Sequence, residues 1–202
     1  MKPRKASFFI SHQDHSSTYT PYITRYCCSN GTDSSRIDSS NSTHLANYLI
    51  SILDSLDGIE ENPIYHPEGD CLYHSLQVFQ HALSETDNPI LWAAALFHDT
   101  GKSVDYVDHA IAGSDMLKGL LNPNITWLTR HHLDLLKSPK KTRQKWKGTQ
   151  QLSDLESLRR WDLAGRQTTV FVMSTQEAVD ILKPHFNVLT QSNATYCNIS
   201  NT

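Results

Sequence analysis

The chain has 202 residues, with 18 Lys and Arg against 21 Asp and Glu, and a formal net charge of -3. That length fits one domain whose core needs no disulfide staples, and the charge excludes a global pull towards nucleic acid or a membrane surface. No apolar run reaches the length of a membrane span, and the basic start MKPRKASFFISHQD has an apolar stretch too short for a secretory signal. A cytoplasmic location is therefore expected. Cys27, Cys28, Cys71 and Cys197 are sparse, lack zinc-knuckle spacing and read as reduced thiols. N-x-S/T triplets such as Asn193-Ala194-Thr195 are then chance matches.

In chain order, Ser11 to Thr43 is rich in Ser, Thr, Asn and Asp and poor in large aliphatics, so residues 1–43 are expected to form a flexible leader. An ordered domain is expected over 44–186. It opens with HLANYLISILDSLD, where Leu45, Leu49, Ile52, Leu53 and Leu56 share a helical face and Thr43 or Ser42 supplies a cap. A loop through Asn62-Pro63 and His66-Pro67-Glu68-Gly69 leads to helical patterns at Cys71–Leu83, Asn88–Thr100, Val107–Leu121 and Pro123–Leu136. KSPKKTRQKWKGTQ reads as a basic connection, followed by a helix over Gln151–Arg166. Thr168–Met173 is the one strand-like segment. Ser174-Thr-Gln-Glu177 reads as a capping box opening a last short helix that Pro184 ends. A polar, loose tail is expected over 187–202. The predicted fold is all-α.

The eleven histidines are the anomaly. The run ILWAAALF (Ile90 to Phe97) is apolar on every side of a helix, yet it ends in His98-Asp99. A plain helix stop at Gly101 and Lys102 is one explanation. The other is a metal ion, which would offset the several kcal/mol that burying a carboxylate and an imidazole costs.

Helical phase supplies further ligands. At 100° per residue, Asp162 projects between Leu155 and Leu158, towards the core. His132 joins the stripe Ile125, Leu128, Leu135 and Leu136, with His131 one step away. His109 aligns with Ala112, Gly113, Met116 and Leu120, whose small members would let another helix approach closely. His74 and His81 lie opposite the stripe Leu72, Leu76, Phe79 and Leu83, so His74 faces either a second layer or solvent. Imidazoles with carboxylates suit Mn, Fe, Co, Ni or Zn, and Mg is admissible.

His74, His98-Asp99 and Asp162, in this order, resemble the HD-domain superfamily of metal-dependent phosphohydrolases. The surrounding HPEGD (His66 to Asp70), ALFHDTGK, HAIAG (His109 to Gly113), RHH (Arg130 to His132) and LRRWDLAGR (Leu158 to Arg166) are similar to the HD domain of bacterial tRNA nucleotidyltransferases and to small stand-alone HD proteins. The likeness covers roughly residues 60 to 167. It implies a compact helical fold and a first metal site made of His74, His98, Asp99 and Asp162. It further implies a second site from His109 and one of His131 or His132, with Asp99 bridging. No Gly-Ser plus paired-Asp motif lies upstream, so tRNA end synthesis is not expected.

The expected reaction is hydrolysis of a phosphoester of a nucleotide or another small phosphorylated molecule. Asp99 would orient the nucleophilic water. Lys102, Arg159 and Arg166 are candidates for the phosphate oxygens, and Glu68 for gating the cleft or accepting a proton. The basic run Lys137, Lys140, Lys141, Arg143, Lys145 and Lys147, with Trp146 interleaved, offers a weaker nucleic-acid alternative. Two other readings stay open: an HD-fold di-iron oxygenase, and a non-catalytic metal-stabilised ligand sensor or scaffold. No membrane partner is expected, and the sequence leaves the oligomeric state open.

Overall fold

A computed structural model describes residues 39–191. Its helices are α1 (Ser39–Asp54), α2 (Cys71–Glu85), α3 (Pro89–Phe97), α4 (His109–Leu117) and α5 (Pro123–His131), followed by α6 (Asp134–Lys137), α7 (Pro139–Lys145), α8 (Gln150–Ala164), α9 (Thr175–Leu182) and α10 (Phe186–Leu189). A 3-10 turn, Thr100–Ser103, follows α3. No β-strand occurs among the described residues, so the expected all-α fold is the observed one. No described helix is long and apolar enough to cross a membrane.

The apolar helix α3 is buried, as its composition requires, and it packs against α2, α5 and α8. Ala93, Ala94 and Ala95 are fully buried, and their small side chains let these neighbours close on it. Around it lie Leu49, Leu53, Phe79 and Leu128, which with its own Phe97 each contribute roughly 1.5–3 kcal/mol by burial. Asp70 caps α2 by accepting from Tyr73 N at 2.7 Å, and Asn88 caps α3 by accepting from Ile90 N at 3.0 Å. The capping box Ser174/Glu177 opens α9 as expected.

Several boundaries differ from the sequence reading. α1 begins at Ser39, so Ser42 and Thr43 lie inside the helix and are not its cap. The rest of the expected leader lies outside the described residues. The pattern over 123–136 is broken at His132 and Leu133, which changes the helical phase and leaves Leu136 exposed rather than buried. The basic connection contains α7, and Thr168–Met173 forms no strand. Its carbonyls are instead bound by α2, from Tyr73 Oη to Val170 O and from Gln80 Nε2 to Phe171 O. The tail is structured further than expected: Phe186 and Leu189 are buried, and Leu189 O accepts from Asn122 N at 2.6 Å. Residues 192–202 lie outside the described residues.

Candidate metal centre

Side chains from α2, α3, α4, α5 and α8 converge beside a cavity of about 630 Å³. His74 comes from the end of the first turn of α2. His98 and Asp99 follow α3, and Asp162 comes from the last turn of α8. His74 Nε2 lies 3.3 Å from Asp162 Oδ1, and His98 Nε2 lies 3.2 Å from Asp99 Oδ2. On the other side of Asp99, His109 Nε2 lies 3.2 Å and His132 Nε2 3.3 Å from Oδ1. Each oxygen of Asp99 therefore faces a different pair of imidazoles.

Glycines make this convergence possible. A Cβ on Gly101 would stand 2.0 Å from His109 O and 2.4 Å from Gly113 N, so only glycine lets the 3-10 turn seat on α4. That contact brings His109 to Asp99. At Gly165 a Cβ would meet Val78 Cγ2 at 2.7 Å, and the bare backbone there places Gly165 O 3.0 Å from His74 Nδ1. The small-residue close approach read from the α4 sequence is thus made, by the turn rather than by a helix.

The tautomers are set from behind. Nδ1 donates to Ala95 O from His98 (2.8 Å), to Tyr106 O from His109 (2.9 Å) and to Thr129 O from His132 (2.6 Å). His74 Nδ1 faces Gly165 O and, at 2.8 Å, Glu68 Oε1. Each Nε2 lone pair is consequently turned into the cluster. His74 Nε2 and His98 Nε2 are buried there without a hydrogen bond. His109 Nε2 and His132 Nε2 face each other at 3.3 Å, two acceptors that need a cation or a shared proton between them. Buried acceptors without donors are costly, and a bound cation satisfies them together. The donor set fits a divalent metal. Ligand atoms of His74, His98 and Asp162 lie within 4.8 Å of one another, as do those of Asp99, His109 and His132.

The electrostatics agree. Burial alone would raise the Asp99 carboxyl, but Lys102 and the neighbouring imidazoles in their protonated form, His98 by its charge and His109 and His132 by donating from Nε2, hold it well below the usual carboxylate range. Asp162 is likewise lowered against its burial, chiefly by His74 and His98. Burial would lower His74, but Asp162, Glu68 and Asp99 raise it to about 9. Without a metal, the carboxylates draw a proton into the space.

The remaining expected residues divide. His131 is not brought to the cluster: its Nδ1 pairs with Asp134 Oδ2 at 2.8 Å and its ring lies on Trp127, 4.5 Å between centroids. His132 takes the inward place. Glu68 does not face the cleft; its side chain is fully buried, with Oε1 2.8 Å from Nδ1 of both His66 and His74. Lys102 is buried in ion pairs with Glu61 and, at 2.8 Å, Asp99 Oδ2, which keep its ammonium charged despite burial. Arg159 Nη1 lies 2.6 Å from Asp162 Oδ2, and Arg166 Nη2 lies 3.1 Å from Oδ1. Both arginines also line the cavity. In the basic run, Trp146 is buried edge-on to Trp127, so its face is not open to a base, and Arg143 pairs with Glu156.

Sequence reasoning missed Glu61, His66 and Tyr106, all of which line the cavity. Glu61 holds Lys102 and accepts from Tyr106 Oη at 2.7 Å. Loop residues carry no helical phase, and only His66 had a signal, as the first residue of HPEGD.

The HD domain family model matches residues 71–166. Just under half of the chain is thus similar to the HD domain. A multifunctional CCA protein of Hahella chejuensis is 32% identical over 84 residues, 38% of this chain and 20% of that protein. Multifunctional CCA proteins of Acinetobacter baumannii are 37% identical over 57 residues, 28% of this chain and 14% of theirs. The chain spans about a fifth or less of the length of these curated relatives. The matched segment of the HD domain contains His74, His98, Asp99, His109, His132 and Asp162. HD domains bind divalent metals, and this one has His/Asp clusters able to hold them.

Proposed function

We propose that the protein is a metal-dependent phosphohydrolase acting on a phosphoester of a nucleotide or another small phosphorylated molecule. The observation that carries this reading is Asp99, whose two oxygens serve two imidazole pairs beside a cavity walled by Arg159 and Arg166. His74, His98, Asp99 and Asp162 would hold one ion, and Asp99, His109 and His132 a second, drawn from Mn, Fe, Co, Ni, Zn or Mg. When bound, such ions lower the pKa of a coordinated water and neutralise phosphate charge.

The chain's own residues supply the rest. Arg159 and Arg166, each held by Asp162, present guanidinium donors to the non-bridging phosphate oxygens. Lys102, donating to Asp99 Oδ2, keeps that carboxylate ionised and in place, a positioning role rather than the direct phosphate contact expected from sequence. Glu68 positions His74 from behind. The proposed setting is the cytoplasm, in keeping with the free thiol of Cys71.

The test is elemental mass spectrometry of anaerobically purified protein, followed on the same sample by a phosphoester panel with Mn, Co, Ni, Mg and Fe. One or two metal equivalents with metal-dependent phosphate release support the hydrolase. Two irons with oxygen consumption and no phosphate release would instead support a di-iron oxygenase, whose six-residue ligand set this cluster also supplies. Metal without either activity would leave a metal-stabilised sensor or scaffold.

A further inference from the structure

Six of the chain's 18 Lys and Arg fall within the eleven residues 137–147, which hold no Asp or Glu. The metal cluster uses none of them. Holding so many like charges close together is unfavourable, yet the fold fixes this segment at the end of α6 and along α7. Thr142 is buried, with Oγ1 donating to Ser138 O at 2.9 Å. Trp146 is buried edge-on to Trp127, 5.2 Å between ring centroids.

At 100° per residue, Thr142 and Trp146 lie on the inner side of α7 and the cations occupy the remainder of its surface. Arg143, on one flank, is engaged by Glu156 of α8 at 2.9 Å. Lys141 and Lys145, one turn apart, share the opposite flank, and Lys140 lies on the outer side. Lys145 Nζ stands 4.5 Å from the Trp146 ring centroid, a contact that leaves its charge in place. With Lys137 at the end of α6, these four lysines are exposed, and none has a carboxylate partner among the described residues.

What the strip lacks narrows its partner. With Thr142 and Trp146 turned inward, 137–147 exposes no aromatic or large aliphatic side chain. Insertion at a membrane surface requires an apolar face, and single strands are held by aromatic stacking platforms. Protein interfaces are cored by aromatic groups and depleted of lysine. A row of ammonium groups alone matches a row of phosphates, and a nucleic-acid duplex is a dense one, about one negative charge per 1.7 Å of axis.

We propose that Lys137, Lys140, Lys141 and Lys145 form a docking strip for the phosphate backbone of double-stranded nucleic acid, bound without regard to base sequence. Ammonium groups are point charges that read neither base edges nor the sugar, so RNA and DNA duplexes bind alike. This binding is independent of hydrolysis at the metal cluster.

The test is fluorescence anisotropy of labelled RNA and DNA duplexes of unrelated sequence, titrated with the full chain over a series of salt concentrations. The expected result is binding of all duplexes within about threefold, with log K falling against log salt at a slope of about −3 to −4, as four phosphate contacts require. Lys140→Gln/Lys141→Gln should reduce that slope by about 2 and weaken binding by about tenfold or more at low salt. Arg143→Gln, whose charge already meets Glu156, should leave the slope nearly unchanged. Lys118→Gln/Lys183→Gln, the same change in net charge outside the strip, should leave binding within about twofold. Circular dichroism checks that the variants remain folded.

No duplex binding at low salt, or an unchanged slope in Lys140→Gln/Lys141→Gln, overturns the proposal. Equal competition by poly-glutamate, or binding to phosphatidylserine vesicles in place of duplexes, overturns it in favour of an acidic protein or a membrane surface. A single strand bound as tightly as the duplex, or a difference of more than about tenfold between RNA and DNA, overturns the reading of backbone charge alone.

Discussion

The two halves of the metal cluster are built differently. The half formed by His74, His98 and Asp162 is carried by α2, the end of α3 and α8, the helices that enclose the core, and both of its histidine Nε2 atoms are sealed in without a hydrogen bond. The half formed by His109 and His132 has histidines slightly more exposed, 9% and 5% against 0% and 1% for His74 and His98, and they sit on the first residue of α4 and the residue just after α5. His109 is brought there by the close seat of the 3-10 turn on α4, where Gly101 meets the backbone of His109 and Gly113. Asp99 joins the halves. The deep half is therefore expected to bind its ion more tightly, because an empty deep site leaves more buried polarity uncompensated.

That asymmetry can be broken at several points. Asp99→Ala removes the shared carboxylate and should have the largest effect: both ions lost and phosphate release reduced to the assay background, read by elemental analysis and turnover on one sample. Gly101→Ala attacks the outer half alone, since the new Cβ meets backbone atoms of His109 and Gly113. It should cost about 1–3 kcal/mol or more of stability and lower the metal stoichiometry, read by thermal denaturation and metal content. Glu68→Gln loosens the deep half through His74. A supporting residue of this kind is worth about 10–100-fold in metal affinity, and the loss should fall on the tighter of two binding events. The smallest effect belongs to His131→Ala, which should leave both events within about 0.5 kcal/mol, as a change outside the cluster, whereas His132→Ala at the neighbouring position should abolish the weaker event.

These same residues show how far the sequence could be read. Helical phase placed His109, His132 and Asp162 towards an interior, because each sits among apolar residues at helical spacing and the faces of a helix obey a fixed period. His74 lies opposite its helix's apolar stripe, and phase left it facing either a second layer or solvent. Phase put His132 on the stripe and His131 only one step away, too small a difference to choose the ligand on a helix that breaks at His132 and Leu133. Leu136 was misplaced for the same reason: a phase carried across a break predicts the wrong face. Glu68 and Glu61 lie in the loop before α2, where no period tells a buried carboxylate from a solvated one. Lys102 and the two arginines were legible as charges near the motif. Their partners Asp99, Glu61 and Asp162, and hence the positioning role of Lys102, required the tertiary structure.

The most direct measurement is a calorimetric titration of chelator-treated full-length protein with Mn²⁺, repeated for His98→Ala and His132→Ala. The account predicts two binding events in the unmodified protein, loss of the tighter one in His98→Ala, and loss of the weaker one alone in His132→Ala. No Mn²⁺ binding, or both variants losing the same event, would contradict a two-part cluster joined by Asp99.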